Sequence, residues 1–146
     1  MAATPTAREV FERHMFAAGA MDPALYAEDV VIETPFAAPG RPRCWEGREA
    51  FMSFVQGEGV SLPALTRRDV RIHESADPEV IVVEYELGGT IPGTDQETWA
   101  PFIGVLRVRE GKVAHWREYQ DPIVMAMATG RLPALLSSLG GAPAQA

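Results

Sequence analysis

From Val80 onward the chain alternates apolar and polar residues in runs long enough for β-strands, and the rest of the chain has to pack against that half. Val80 to Leu87 reads as a strand, ended or bent by Gly88-Gly89. Thr98 to Arg109 is the longest run, and Pro101 within it implies an edge or a bulge. Glu110-Gly111 makes a hairpin turn into a last strand, Lys112 to Tyr119. Upstream, Val30 to Thr34 is a strand stopped by Pro35. Val70-Arg71-Ile72-His73 alternates before an Asp77-Pro78 turn.

Helical spacing dominates the first part. Ala7, Val10, Phe11, His14, Met15 and Ala18 form an apolar stripe on a helix from Thr6 to Ala20. Glu9 lies three residues after Thr6, as a capping box requires. Asp22-Pro23 starts a short second helix through Leu25-Tyr26. After a Pro/Gly loop from Ala37 to Arg43, Gly47 to Gln56 is helical, with Phe51, Met52, Phe54 and Val55 inward. Gly57 to Pro63 is a loop. A short helix, Val124 to Ala128, follows Pro122, and the tail frays from Gly140. The fold class is α+β: a curved, mostly antiparallel sheet wrapped around N-terminal helices, leaving a cone-shaped internal pocket for a small molecule.

The 146 residues suit one domain, 1–146, with its core at about 7–127. The net charge of −7 gives no basic footprint, so neither nucleic acid nor an anionic membrane surface is an expected partner. Cys44 is the single cysteine, so no internal disulfide forms. The first residues lack a basic segment followed by an apolar run, which makes a cytoplasmic location the expectation. No metal-like spacing, phosphate-binding glycine motif or nucleophile elbow is present. No metal and no cofactor are expected.

Strand parity selects the pocket face. Ile81, Val83, Tyr85 and Leu87 share one face of their strand. Phe102, Gly104 and Leu106 share one face of the next, and Trp116 and Glu118 one face of the last. Glu84, Glu86, Arg107 and Arg117 collect on the opposite, convex side. Glu118 is then a carboxylate on an apolar and aromatic wall, where desolvation makes it a proton donor or base near neutral pH.

Three segments carry a family resemblance. They are Ala27 to Gly40, with its Val31-Ile32-Glu33-Thr34-Pro35 centre; Trp45-Glu46-Gly47-Arg48-Glu49-Ala50; and Gly111 to Pro122, with His115-Trp116-Arg117-Glu118-Tyr119. Together they resemble the SnoaL-like and ketosteroid-isomerase-like branch of the nuclear-transport-factor-2-like superfamily, over about Ala7 to Met127. The resemblance implies a cone-shaped α+β barrel, a homodimer and a pocket between helices and sheet.

That superfamily includes isomerases, polyketide cyclases, dehydratases, epoxide hydrolases and proteins without catalysis. The aspartate base of ketosteroid isomerases falls at Thr34, their acidic oxyanion donor at Gly104 and their helical tyrosine near His14, so their mechanism is not expected. Phenazine-biosynthesis A/B proteins are similar around Val70 to Glu74 and Arg117 to Pro122. That resemblance implies an acid at Glu118, without the supporting histidine and serine.

The expected activity is cofactor-independent acid–base catalysis: isomerisation, cyclisation or dehydration of a hydrophobic, polyketide-like secondary metabolite. Glu118 and His14 are the candidate catalytic residues. Tyr85, Trp116, Phe102, Val83, Thr34 and Trp45 are the candidate substrate-binding residues. The alternatives are a non-catalytic small-molecule binder, a dimerisation module whose cone is packed shut, and a hydrolase, which would need a second acid group beside Glu118.

Overall fold

The computed structural model describes residues 3–16, 22–57, 66–90, 94–128 and 130–140, with the side chains of residues 14–16 outside the description. Its helices are α1 (Ala7–Phe16), α2 (Arg48–Gly57), α3 (Pro122–Ala128) and α4 (Leu132–Gly140). Its strands are β1 (Tyr26–Glu33), β2 (Cys44–Glu46), β3 (Thr66–Glu74), β4 (Val80–Thr90), β5 (Glu97–Arg109) and β6 (Lys112–Gln120). The strands form one curved, unclosed six-stranded sheet in the order β2-β1-β6-β5-β4-β3. All pairings are antiparallel except β1 with β6. The fold is α+β. Among the described residues no helix is long and apolar enough to cross a membrane.

Local chemistry starts and stops these elements. The capping box opens α1: the Thr6 backbone N–H donates to Glu9 Oε2 at 2.8 Å, and the Glu9 N–H donates to Thr6 Oγ1 at 3.2 Å. The expected continuation of α1 to Ala20 lies outside the described residues, as does most of the expected Gly57 to Pro63 loop. Glu110 (φ 53°) and Gly111 (φ 74°) make the β5–β6 turn, both left-handed as a tight hairpin demands.

Alternating burial runs from Val80 to Glu86 in β4 and along β5 as strand parity predicts, whereas in β6 the buried Val113 and Trp116 are three residues apart, where the β5–β6 register shifts between Arg107 and Val108. Ile81, Val83, Tyr85, Phe102, Leu106 and Trp116 are buried on the concave side. Val10 and Phe11 of α1 pack onto them; the Phe11 ring centroid is 6.1 Å from Tyr85 and 5.9 Å from Trp116. Each such side chain removed from water contributes about 1.5–3 kcal/mol.

The structure corrects several boundaries. Asp22 Oδ1 caps a single 3-10 turn (Pro23–Leu25) by accepting from the Ala24 N–H at 2.9 Å. The chain is then extended from Tyr26, so β1 begins where a short helix was expected to continue. β2 and α4 add to the expected elements, and β3 starts four residues earlier, at Thr66.

β6 ends opposite Phe102, so among the described residues Glu97–Pro101 pairs with β4 alone and Pro101 lies in an edge stretch. β4 does not end at Gly88-Gly89 but pairs with β5 through to Thr90. Gly88 serves close approach instead. A Cβ there would stand 2.1 Å from the Thr98 carbonyl oxygen and 2.6 Å from the Trp99 ring.

Gly88→Ala is therefore expected to cost about 1–3 kcal/mol through overpacking. Gly57→Ala, at a position with nothing within 4 Å, is expected to be neutral within error. Urea unfolding of the two variants checks this; equal midpoints would refute the close-approach account.

Candidate functional site

Register builds the site. Val83 lies opposite Gly104 across β4–β5, and Gly104 opposite Glu118 across β5–β6. A Cβ at position 104 would meet Val83 Cγ2 at 3.1 Å and the Trp116 indole nitrogen at 3.5 Å. Glycine there leaves the space taken by the indole edge and the Val83 methyl group.

Tyr85 Oη donates to Glu118 Oε2 at 2.5 Å, and the Trp116 indole N–H is a second donor to that carboxyl. The Tyr85 ring stacks on Phe102 at 5.5 Å, with 4° between the planes. The pair is thus a hydrogen bond on an aromatic wall.

Burial is the leading influence on the carboxyl, and it pushes Glu118 above its ordinary value. The Tyr85 hydrogen bond, the charge of Arg67 and the Trp116 hydrogen bond all act the other way, in that order of size. Glu118 as a residue is only half-buried; its carboxyl end is the deeply placed part. Tyr85 is held far above the ordinary phenol value, first by burial and then by the neighbouring Glu118 charge. Tyr26, 1% exposed, is raised by the same two causes.

The remaining candidates divide. Val83 is fully buried beneath Gly104. Trp45 packs on α2, with ring centroids 5.8 Å from Phe51 and 4.6 Å from Phe54. The Thr34 hydroxyl donates to the Pro42 carbonyl at 3.3 Å and so ties down its own loop. The His14 side chain lies outside the described residues.

On the opposite face, Glu33 meets His115 Nε2 at 2.5 Å and Glu84 meets His73 Nε2 at 2.7 Å. Asp121 caps α3, accepting from the Ile123 and Val124 N–H groups at 2.9 and 3.1 Å. Among the described residues no three His, Cys, Asp or Glu side chains gather as metal ligands do.

Two residues that bear on the site escaped the sequence reading, the half-buried Arg67 and the buried Tyr26. Both act electrostatically on the site: the Arg67 charge bears on Glu118, Tyr85 and Tyr26. The Arg67 guanidinium lies over the Tyr85 ring, 5.9 Å from its centroid. A β-bulge brings Arg67 inward. The β3–β4 register shifts between Arg68 and Arg71, with Asp69 at φ 53°. Arg67 pairs with Leu87 on the inner side before the shift, and Ile72 pairs with Val83 on that side after it.

The pH sign follows from Glu118. Its folded value exceeds its unfolded one, so its contribution to stability is fully present below the unfolded value and is lost as pH rises through the folded value. Glu118→Gln keeps an acceptor for Tyr85 and carries no charge. The melting temperature of Glu118→Gln minus that of wild type is expected to be more positive at pH 8 than at pH 5. Differential scanning calorimetry at both values checks it; a flat or inverted difference would contradict the burial of a chargeable carboxyl.

Comparison with known proteins places the chain. An uncharacterised PhzA/B-like protein of Pseudomonas aeruginosa is 29% identical over 120 residues, 81% of this chain and 83% of that protein. The crystal structure of a proposed isomerase from Bacillus subtilis superposes with a TM-score of 0.66 at 25% identity, covering 75% of this chain and 78% of the other. A phenazine biosynthesis-related protein of Pseudomonas aeruginosa shares the fold at a TM-score of 0.69 and 20% identity, covering 85% and 84% of the two chains. The SnoaL-like domain family matches residues 7–116, and with the cone and its register in place the chain belongs to that family.

Proposed function

We propose that this chain is a cofactor-independent acid–base enzyme, an isomerase, cyclase or dehydratase, acting on a hydrophobic small molecule of the polyketide-like kind. The observation that carries the reading is the Glu118 carboxyl, pushed toward its neutral form by burial and held by Tyr85 at 2.5 Å on an aromatic wall. A neutral carboxyl can give its proton to a substrate oxygen or carbon. The carboxylate left behind is stabilised by the Tyr85 and Trp116 donors and by the Arg67 charge, so it can then take a proton from another position. That shuttle suits isomerisation and elimination alike. Phe102 and Trp116, backed by the fully buried Val83, form the apolar wall on which a ligand's pose would depend. The resemblance to a proposed isomerase supports the class.

One observation favours the rival, a non-catalytic module. Phe11, Tyr85, Phe102 and Trp116 already pack on one another within 6.1 Å, and a groove of about 440 Å³ lies instead between Phe36, Ile103 and Tyr119. Deuterium exchange into bicyclic ketones in D2O, followed by proton NMR, separates the two. Catalysed exchange by wild type, lowered roughly 10²- to 10⁴-fold in Glu118→Gln with binding retained, is the expected result. Ketone binding without exchange in wild type would favour the rival.

The proposal extends to a cytoplasmic homodimer, the chain acting as one domain and pairing through the convex side of the sheet. Ile103 is 45% and Phe36 58% exposed at that groove. Sedimentation velocity is expected to give a dimer for wild type and a monomer for Ile103→Glu. A wild-type monomer at tens of micromolar would rule out this pairing.

A further inference from the structure

We infer that Arg67 is a substrate-binding residue that takes a carboxylate carried by the ligand on which Glu118 acts; this rests on the acid–base reading of that site. The Arg67 Nε atom is buried and, among the described residues, has no hydrogen-bond partner. Folded proteins pair nearly all buried polar donors, and a buried cationic donor left open is the kind a ligand completes.

Other arginines of the sheet and helices show what a structural role looks like here. Arg68 binds Glu86 at 2.6 Å, Arg107 binds Asp77 at 3.0 Å, and Arg109 binds Asp29 at 2.6 Å, all with part of the side chain in water. Arg117 shares an open Nε but stands on the opposite face, beside Val105 and Glu33 in register.

Among the described residues no carboxylate forms an ion pair with Arg67. The Arg67 charge bears on Glu118, but that carboxyl is engaged by Tyr85 and Trp116. The guanidinium lies against the Tyr85 ring, whose hydroxyl holds Glu118. A ligand at Arg67 therefore lies beside the acid.

The backbone singles this residue out. Without the bulge at Asp69, Arg67 and Arg71 would share a face; with it, Arg71 pairs opposite Glu84 on the outer side and Arg67 stays inside. A left-handed aspartate is an uncommon device to keep for placing one arginine. The planar guanidinium fork matches a carboxylate bidentately, and the surrounding wall is aromatic. The substrate class is thus narrowed to an aromatic or alicyclic acid: an apolar body against Phe102 and Trp116, its carboxylate on Arg67 and its reacting atom toward Glu118.

The probes are 2-naphthoate and 2-naphthamide, nearly the same shape with and without charge, titrated by calorimetry into the full chain. Wild type is expected to bind the acid at least tenfold more tightly than the amide. Arg67→Gln is expected to lose that preference and Glu118→Gln to keep it. In the wild-type ¹H–¹⁵N spectrum the Arg67 Nε–H signal, identified by its absence from Arg67→Lys, is expected to move with naphthoate and not with naphthamide. This reading needs no folded Arg67→Gln.

Equal affinity for acid and amide, or an Nε–H signal indifferent to naphthoate, overturns the inference. If ketone exchange still depends on Glu118 in that case, the acid–base reading stands and only the Arg67 assignment falls. If neither naphthalene binds and no ketone exchanges, both fall together.

Discussion

A carboxyl in an aromatic cone keeps its place only because a tyrosine hydroxyl and an indole N–H are aimed at it. The Tyr85–Glu118 hydrogen bond ties β4 to β6 across the intervening β5, over a glycine that stands between the two strands. It needs three conditions at once. Residues 85 and 118 must face the same way, position 104 must carry no side chain, and the sheet must curve enough to bring Tyr85 Oη to the carboxyl. Losing any one would deprive a buried acid of its Tyr85 donor and leave the Trp116 indole N–H to hold it, a costlier state than a buried apolar residue.

The same three conditions explain what was legible in the sequence. β4, β5 and β6 are long and rich in β-branched and aromatic residues, and from Val80 to Glu86, Ala100 to Leu106 and Trp116 to Glu118 they are regular enough that parity assigned their inner faces correctly, Glu118 among them. Parity fails at a bulge. Arg67 sits ahead of one, in a stretch of consecutive polar residues, Thr66-Arg67-Arg68-Asp69, where no apolar alternation marks a strand. Tyr26 was hidden differently. The Asp22-Pro23 signal that opens a helix is genuine, but it is satisfied by one 3-10 turn, and the next residue is already sheet. β2 is three residues long, too short for any period to register. Tertiary contact decides such segments, and one chain's local pattern does not contain it.

The two faces of β6 show why the fold and the reaction are legible to different degrees. Trp116 and Glu118 look inward while His115 and Arg117 look outward, so one strand contributes both to the cone and to the convex side. The fold requires only that the inner residues be mostly apolar and paired with their neighbours. It does not require that one be an acid. SnoaL-like chains can therefore keep the cone and change the polar residues inside it, and the reaction has to be argued from those residues alone.

In this chain those residues form an unequal set. Glu118 is driven toward neutrality by burial, Tyr85 and Tyr26 are held firmly in their neutral forms, and Arg67 is a cation whose Nε has no partner among the described residues. With the acid neutral, the charge inside the described part of the cone is positive, although the whole chain carries −7. An anion entering there would neutralise Arg67 and remove one of the influences that favour the Glu118 carboxylate. Binding and protonation are then linked, since a ligand that engages the arginine strengthens the hold of the neighbouring carboxyl on its proton. A neutral ligand of the same shape has no such effect. The pocket would prepare its acid only for a substrate that brings a negative charge, and specificity and catalysis would rest on one electrostatic coupling.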